Sequence, residues 1–84
     1  NINSETKVLA EVSYKKYNEW IKIKNFLINN EKVLEYNILV IDNRSAIIEL
    51  NIVSIDDLVE DLVKNKFKID KKENNLFISK DESM

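Results

Sequence analysis

The chain has 84 residues, of which 44% are hydrophobic and 33% are charged, and its formal net charge is −2. These values are typical of a small globular domain and single out no class of partner. Histidine and cysteine are absent, which excludes the usual zinc sites and any nucleophile pair that depends on imidazole or thiolate. No stretch approaches the roughly 20 apolar residues that span a bilayer.

We expect a single α+β domain over residues 1–84. A chain of this length buries only about 60% of the surface that its unfolded form exposes, so it has room for one compact core and not for a deep enclosed active site. The opening NINSETK contains neither a starting Met nor an apolar leader. We therefore expect the domain to be a piece excised from a longer protein.

The first two elements differ in their hydrophobic period. Apolar residues alternate with polar ones over residues 6 to 14, which predicts a half-buried strand. Over residues 18 to 30 they recur at helical spacing, which predicts a helix with Asn18 as N-cap. Trp20 lies on the apolar face of this helix, so we expect it to anchor the core rather than to stack on a ligand.

Residues 33 to 41 and 46 to 53 alternate again and predict a β-hairpin. Matching their apolar faces sets Val40 opposite Ile48 and Ile38 opposite Leu50. The loop then holds three residues, 43 to 45, or five. The chain has no glycine, so Asn43 or Arg44 is expected to take any left-handed conformation that the turn requires.

Residues 54 to 65 predict a second amphipathic helix, and two short apolar runs follow, at 67 to 69 and 76 to 78. With the last run as a closing strand, the order of elements predicts a ferredoxin-like βαββαβ fold. This fold is a four-stranded antiparallel sheet with two helices on one face. An alternative topology treats the tail as an extra hairpin.

The second helix carries a conspicuous acidic cluster of Asp56, Asp57, Glu60 and Asp61. Grouped carboxylates can hold magnesium or a diphosphate, and a small carboxylate enzyme is one hypothesis. At helical spacing, however, these acids fall opposite the apolar arc, and Ser54 is placed as N-cap ahead of them. We therefore expect a capped helix with a solvated acidic face and no metal site.

A basic stretch follows this helix, and it suggests a second possible function. Its lysines could contact phosphates, which makes nucleic-acid binding the alternative function; they are Lys64, Lys66, Lys68, Lys71 and Lys72. RNA-recognition domains with this strand order stack bases on aromatics of the two central strands. The outward positions predicted here carry none, so nucleic acid is the weaker hypothesis.

More apolar residues are present than the predicted core consumes. Some would project from the outer face of the sheet and others from the flank of the first helix; they are Leu9, Ile21, Ile28, Leu39, Ile41 and Ile47. A contiguous exposed apolar patch on a small domain marks a contact with another chain or domain. The alternatives are that the rest of the parent protein covers these residues or that they are merely scattered.

Several segments together resemble the C-terminal domain of an uncharacterised family of bacterial envelope-associated proteins. They are AEVSYKKYNEWIKIKNFL, V..YNILVI, SAIIELNIVSIDDLVEDL and F.I....NLFIS. The similarity depends mainly on packing positions such as Trp20, Leu58 and Leu62. Ser54 and Asn65 stand where glycines are expected. The resemblance implies a periplasmic or cell-envelope location, with the cytoplasm as the alternative, and it supplies no catalytic residues.

The function that these observations favour is a non-catalytic protein-interaction or assembly module. We expect no catalytic residue, no metal site and no cofactor. The expected partner is another protein chain or the rest of the parent protein, with a homo-oligomer included. No membrane span is expected.

Overall fold

The structure is a computed structural model that describes residues 6–80. Within this range the chain forms two helices and five strands. In chain order they are β1 (Thr6–Ser13), α1 (Tyr17–Ile28), β2 (Val33–Ile41), β3 (Ser45–Ile52), α2 (Ile55–Lys64), β4 (Phe67–Lys72) and β5 (Asn75–Lys80). The predicted α+β class is confirmed, and the predicted elements lie within two residues of the observed helices and of the first three strands.

The strands form one mixed sheet in the order β2-β3-β1-β5-β4. Strand β1 is central, and it runs antiparallel to β3 and parallel to β5. The pairs β2–β3 and β4–β5 are antiparallel, so β2 and β4 are the edge strands of the described sheet. The prediction of a four-stranded antiparallel sheet is therefore wrong in strand number and in the direction of one neighbour of β1.

The cause lies in the tail, which folds as the extra hairpin of the alternative topology. Leu76 and Ile78 of β5 are fully buried, whereas Phe67 and Ile69 of β4 are only partly buried. The strand that carries the more deeply buried pair lies beside β1, and the lysine-rich strand takes the edge. Because β5 turns back from β4, it runs parallel to β1 rather than antiparallel to it.

One apolar core fills the space between the sheet and the helices. The buried residues include three from β1, four from β3, two from β5 and five from the helices: Val8, Ala10, Val12, Ala46, Ile48, Leu50, Ile52, Leu76, Ile78, Trp20, Ile23, Leu27, Leu58 and Leu62. Both helices contribute to this one cluster, so both cover the same face of the sheet, as predicted. The opposite face of the described sheet stays open.

Trp20 is a core residue, as predicted, with 1% of its surface exposed. Its ring stacks on Tyr14, with the ring centroids 5.9 Å apart and the planes inclined by 26°. Offset stacking of this kind adds about 0.5 to 1.5 kcal/mol beyond the area that the rings bury. The pair joins the end of β1 to the first turn of α1.

The two helices begin differently. Helix α1 begins at Tyr17 after Lys16, so the prediction of Asn18 as N-cap is wrong. Its N-cap, Lys16, makes no side-chain capping bond. Glu19 Oε1 accepts the backbone N–H of Lys15, just before the helix, at 3.0 Å, and this bond holds the pKa of Glu19 below its usual value. In α2 the predicted N-cap is confirmed, because Ser54 Oγ accepts the backbone N–H of Asp57 at 3.3 Å.

The loop between β2 and β3 is held from outside the hairpin. The backbone N–H of Tyr14 donates to Arg44 O at 2.9 Å, and the Tyr14 hydroxyl lies against the carbonyls of Asp42 and Ser45. Residues 42 to 44 separate the strands. Among residues 6–80 the left-handed φ values belong to Lys66 (69°) and Glu73 (55°). The turn between β2 and β3 therefore needs no left-handed residue, and neither Asn43 nor Arg44 takes that conformation.

Candidate interaction surface

Strand β2 contains two irregularities that determine where its side chains point. Its register against β3 slips between Val33 and Glu35 and again between Ile38 and Val40. At each slip two residues of β2 oppose one residue of β3, which is the arrangement of a β-bulge. We call the pair 34 and 35 the first bulge and the pair 39 and 40 the second bulge.

The register between the bulges differs from the predicted one. Ile38 lies opposite Ile48, and Val40 lies opposite Ile47. The predicted partners, Leu50 for Ile38 and Ile48 for Val40, are wrong. A uniform alternation can be matched across a hairpin in several registers that differ by two residues, and an extra residue in one strand changes which of them the loop allows.

The second bulge also reverses the faces of the residues that follow it. Ile47 points to the open face of the sheet, so its partner Val40 does as well, whereas Ile41 lies opposite the buried Ala46 on the helix-covered side. The prediction that Ile41 projects from the outer face is therefore wrong. Leu39 keeps its outward direction because it follows the inward Ile38.

An apolar group forms on the open face near β2, and we call it the outer patch: Leu9, Leu39, Val40 and Ile47. Leu39 and Val40 each expose 49% of their surface and Leu9 exposes 41%, whereas Ile47 is half-buried. Ile47 is paired with Glu11, which follows Leu9 on the same face of β1. The structure thus places the predicted residues Leu9, Leu39 and Ile47 on one face of three adjacent strands, with Glu49 directly opposite Leu9 and Glu11 directly opposite Ile47. Sequence periodicity missed Val40, because a bulge leaves no signal in an all-apolar run.

The two predicted residues of helix α1 are not part of this surface. Ile21 is half-buried and packs against the core, and Ile28 is half-buried. Their helix covers the face of the sheet opposite to the outer patch. The six predicted residues therefore divide into three of the outer patch, two of helix α1 and Ile41 at the end of β2.

The free edge of β2 adjoins the outer patch, and we call it the β2 edge. Its nine residues, VLEYNILVI, include one charged residue, Glu35. Three further apolar side chains of this strand are about half exposed: Leu34, Tyr36 and Ile41. The other edge strand, β4, reads FKIDKK and carries three lysines and an aspartate. Charged side chains, lysine above all, protect a sheet edge against pairing with another strand, and β2 lacks them. Its two bulges limit pairing in another way, because they bend the edge and admit only a strand that bends with it.

Polar residues border the outer patch on the same face. An open depression of about 570 Å³ is lined by Lys7, Glu35, Asn37, Glu49 and Asn51, among others. Lys7 Nζ lies 3.7 Å from Glu49 Oε2, and Asn51 Nδ2 donates to Glu35 Oε1 at 3.0 Å. Four of the five polar groups are thus paired with one another, and we describe the five as a polar rim around apolar residues.

The acidic cluster of α2 is divided between solvent and two ion pairs. Asp61 Oδ2 lies 2.8 Å from Lys32 Nζ and accepts a bond from Asn30 Nδ2 at 3.3 Å. These bonds hold the pKa of Asp61 below its usual value, and the bond to Asp61 raises that of Lys32. Asp56 Oδ1 lies 3.5 Å from Lys71 Nζ.

The other two acids of this cluster, Asp57 and Glu60, are exposed. In the described part of the chain no three acidic side chains are placed to hold a metal ion. The partly buried contact of Asp61 ties α2 to the segment before β2, whereas the pair of Asp56 with Lys71 is exposed and adds little stability.

The lysines of the basic stretch do not share one surface. Lys68 and Lys72 lie opposite Ser79 and Asn75 on the open face, whereas Lys71 lies opposite the buried Leu76 on the helix side. Sequence reasoning missed one aromatic nearby. Phe77 of β5 is 38% exposed on the open face, and its alternation with the buried Leu76 and Ile78 is the signal that could have placed it there.

Comparison with models of known protein families, with curated proteins and with solved structures finds no match for this chain. Over residues 6–80, neither helix has the length and apolar character needed to cross a membrane.

Proposed function

We propose that this domain is a non-catalytic protein-interaction module that binds a protein chain at the β2 edge and the adjoining outer patch. The observation that carries the proposal is the coincidence of two features. Leu39 and Val40 are exposed together on the open face, and the strand that bears them has a free edge with a single charge.

The physical basis is the addition of a strand to the sheet. A free edge presents unpaired backbone N–H and C=O groups, and an incoming strand satisfies them with main-chain hydrogen bonds. Exposed apolar side chains beside the edge then lose contact with water, which favours binding. Glu49 and Asn51 belong to the polar rim. The polar groups at the border of the contact can therefore remain solvated.

Photo-crosslinking in the cells that produce the protein tests this proposal. A photoreactive amino acid replaces Leu39 in the outer patch, and the matched control replaces Asp70 on the opposite sheet edge. We expect a discrete crosslinked product at position 39, identified by mass spectrometry, and its loss when Val40→Lys is added. The absence of a product at position 39, or the same products at both positions, would contradict the proposal.

One observation favours nucleic-acid binding as the second candidate function. On the open face Phe77 lies opposite Asp70, and the two lysines diagonal to it are Lys68 and Lys72. An exposed aromatic between cations can stack on a base while the cations contact phosphates. The carboxylate of Asp70 lies directly opposite the ring and weakens such binding. Retention on a polyanion column that falls steeply with salt would support this function, and elution without retention at low salt would contradict it.

The resemblance to envelope-associated proteins adds a proposal about location. We infer a periplasmic or cell-envelope setting, with the cytoplasm as the alternative. Fractionation of the producing cells, followed by detection of the parent protein with an antibody, separates the two locations.

A further inference from the structure

We propose that the chain bound at the β2 edge is a second copy of this domain, with the two β2 strands antiparallel about a two-fold axis at Asn37. The inference rests on the proposed function and names its partner. The paired copies would share one ten-stranded sheet, made of the five strands described in each copy.

The first argument is the face of the sheet to which each side chain of β2 points. In an antiparallel pair, directly opposite residues point to the same face. About Asn37, Leu34 lies opposite Val40 and Glu35 opposite Leu39, and these four positions all belong to the two bulges on the open face. Every outward position of one strand therefore meets an outward position of the other.

The same holds on the side that the helices cover. Val33 then lies opposite Ile41 and Tyr36 opposite Ile38, and all four are opposite buried residues of β3 in the observed register. Tyr36 and Ile41 are about half exposed at this end of the sheet. Pairing would give each of them an apolar neighbour.

The second argument is the position of the bulges. They occupy residues 34 and 35 and residues 39 and 40, so they are symmetric about residue 37. A bulge bends its strand and increases the local twist. In this pairing the first bulge of one copy lies beside the second bulge of the other. The two strands therefore bend at the same positions along their length. A straight strand would not follow this edge over its whole length.

In the neighbouring registers, directly opposite residues would point to different faces of the sheet. An axis at Tyr36 would set the outward Leu34 opposite the inward Ile38. An axis at Ile38 would set the inward Tyr36 opposite the outward Val40. Asn37 is therefore the position about which all nine residues of β2 match.

The third argument concerns the charges on the two sheet edges and the number of copies that can pair. The one charged residue of β2, Glu35, would face Leu39 rather than its own copy, so pairing brings no like charges directly together. The edge formed by β4 carries Lys68, Lys71 and Lys72 and would repel its copy. Pairing thus uses one edge of each molecule, and a two-fold contact of this kind closes at a dimer instead of growing into a fibre.

Cysteine trapping tests the register. The chain has no cysteine, so Asn37→Cys provides a single thiol. Residues directly opposite in an antiparallel pair have Cα atoms about 4.5 to 5.5 Å apart, within the range of about 4.4 to 6.8 Å that a disulfide spans. We expect Asn37→Cys to form a disulfide-linked dimer under mild oxidation at least about tenfold faster than the control Asp70→Cys. Equal rates would overturn the register.

A second pair of variants checks the same register elsewhere. In Glu35→Cys alone, the thiol of one copy faces Leu39 of the other copy and not a second thiol. When Glu35→Cys is combined with Leu39→Cys, each thiol faces a thiol of the other copy. We expect efficient linkage in the double variant only. Efficient linkage in Glu35→Cys alone would contradict an axis at Asn37.

Sedimentation equilibrium from about 1 μM to about 1 mM measures the association itself and covers the range of weak strand-edge contacts. We expect a monomer–dimer equilibrium that Leu39→Lys weakens by tenfold or more. The control Phe77→Lys, on the same face but on an inner strand, should leave it unchanged. Equal weakening by both would indicate stacking of open faces and overturn edge pairing.

The failure of self-pairing can be told apart from the failure of the proposed function. If the domain is a monomer at all concentrations and position 39 crosslinks to a different protein, only the proposal that the partner is a second copy is overturned. A monomer with no crosslink at position 39 would overturn both.

Discussion

Lys32 Nζ lies 2.8 Å from Asp61 Oδ2, and this contact joins α2 to the residue that precedes β2. The adjoining turn is held by the same group of residues, because Asn30 Oδ1 accepts the backbone N–H of Lys32 at 2.9 Å and Asn30 Nδ2 donates to Asp61. The start of the proposed binding strand is therefore fixed by a helix on the other side of the sheet. A binding edge that is held in place before the partner arrives loses less entropy on binding.

The ion pair predicts how stability depends on pH at the acid end. The pKa of Asp61 lies below its usual 3.8 in the folded state because of its bonds to Lys32 and Asn30. Its contribution is therefore full above the unfolded pKa and is lost as pH falls through the folded pKa. We expect Asp61→Asn to lower stability at pH 7 and to flatten this acid loss. The measurement is urea unfolding between pH 2 and pH 7.

The matched control for this prediction is Glu60→Gln, which removes an exposed acid one residue earlier on the same helix. At the alkaline end the sign is reversed. The bond to Asp61 raises the pKa of Lys32 above 10.5, so the contribution of Lys32 is full below that value and is lost as pH rises through the folded pKa. An acid profile of Asp61→Asn that is parallel to that of the unmodified domain would contradict the role of this pair.

A second prediction concerns the hydroxyl of Tyr14. It closes the loop between β2 and β3, while the ring stacks on Trp20. Tyr14→Phe keeps the stacked ring and removes the donor, so we expect a loss of about 1 kcal/mol in the free energy of unfolding. Tyr17→Phe is the control, because that ring is 63% exposed. Equal effects of the two substitutions in urea unfolding at pH 7 would count against this role.

The same hydroxyl gives an alkaline pH dependence. Burial raises the pKa of Tyr14 above 10.0, and the nearby charge of Asp42 raises it further. The stability that the protonated hydroxyl contributes is full below the unfolded pKa and is lost as pH rises through the folded pKa. The difference between Tyr14→Phe and the unmodified domain should therefore shrink as pH rises past that range.

A third prediction concerns the residue after α2. Lys66 has φ of 69° directly after the C-cap Asn65, in the left-handed region that costs a residue with a Cβ roughly 1 to 2 kcal/mol. Glycine has no such cost there, although it loses more entropy on folding. We expect Lys66→Gly to stabilise the domain by about 1 kcal/mol. The matched change Lys64→Gly, at the last residue of the helix, relieves no left-handed conformation and should not stabilise the domain. Thermal unfolding compares the two, and a loss of stability in Lys66→Gly would contradict the prediction.

This position also shows the limit of sequence reasoning about turns. Asn65 is the residue at which a glycine was expected, but its φ is −94°, and the left-handed residue comes one position later. The helix ends with the backbone N–H of Asn65 bonded to Asp61 O and that of Lys66 to Val63 O. Which residue of a turn takes the unusual conformation depends on these bonds, and a chain without glycine does not mark it.

Periodic segments were predicted well, and departures from periodicity were not. The alternation of β1 and the helical spacing around Trp20 placed buried residues correctly, because burial on one face imposes a fixed period. The run Leu39 to Ile41 is apolar at every position, so it carries no sign of the bulge that sends Val40 outward and Ile41 toward the helices. The sequence therefore indicated the outer face of the sheet, with Leu39 and Ile41 from β2, but it could not show that Val40 rather than Ile41 belongs to that face.

The extra strand β4 and the parallel direction of β5 were missed for a different reason. The ferredoxin-like order already sets the closing strand beside β1, but the segments of β4 and β5 are both short and alternating, and the sequence does not show that both enter the sheet. In the structure Leu76 and Ile78 are buried completely beside β1, while β4 keeps its lysines at the edge. Order within a sheet follows from competition between strands for the same core, which local pattern does not express.

The most direct test of edge pairing is the hydrogen exchange of the β2 backbone amides at about 10 μM and about 1 mM protein, with β4 as the internal reference. If two copies pair about Asn37, the β2 amides that face the free edge become more protected at the higher concentration, while protection in β4 stays unchanged. Protection in β2 that is the same at both concentrations, or that rises equally in β4, would contradict the pairing of copies through β2.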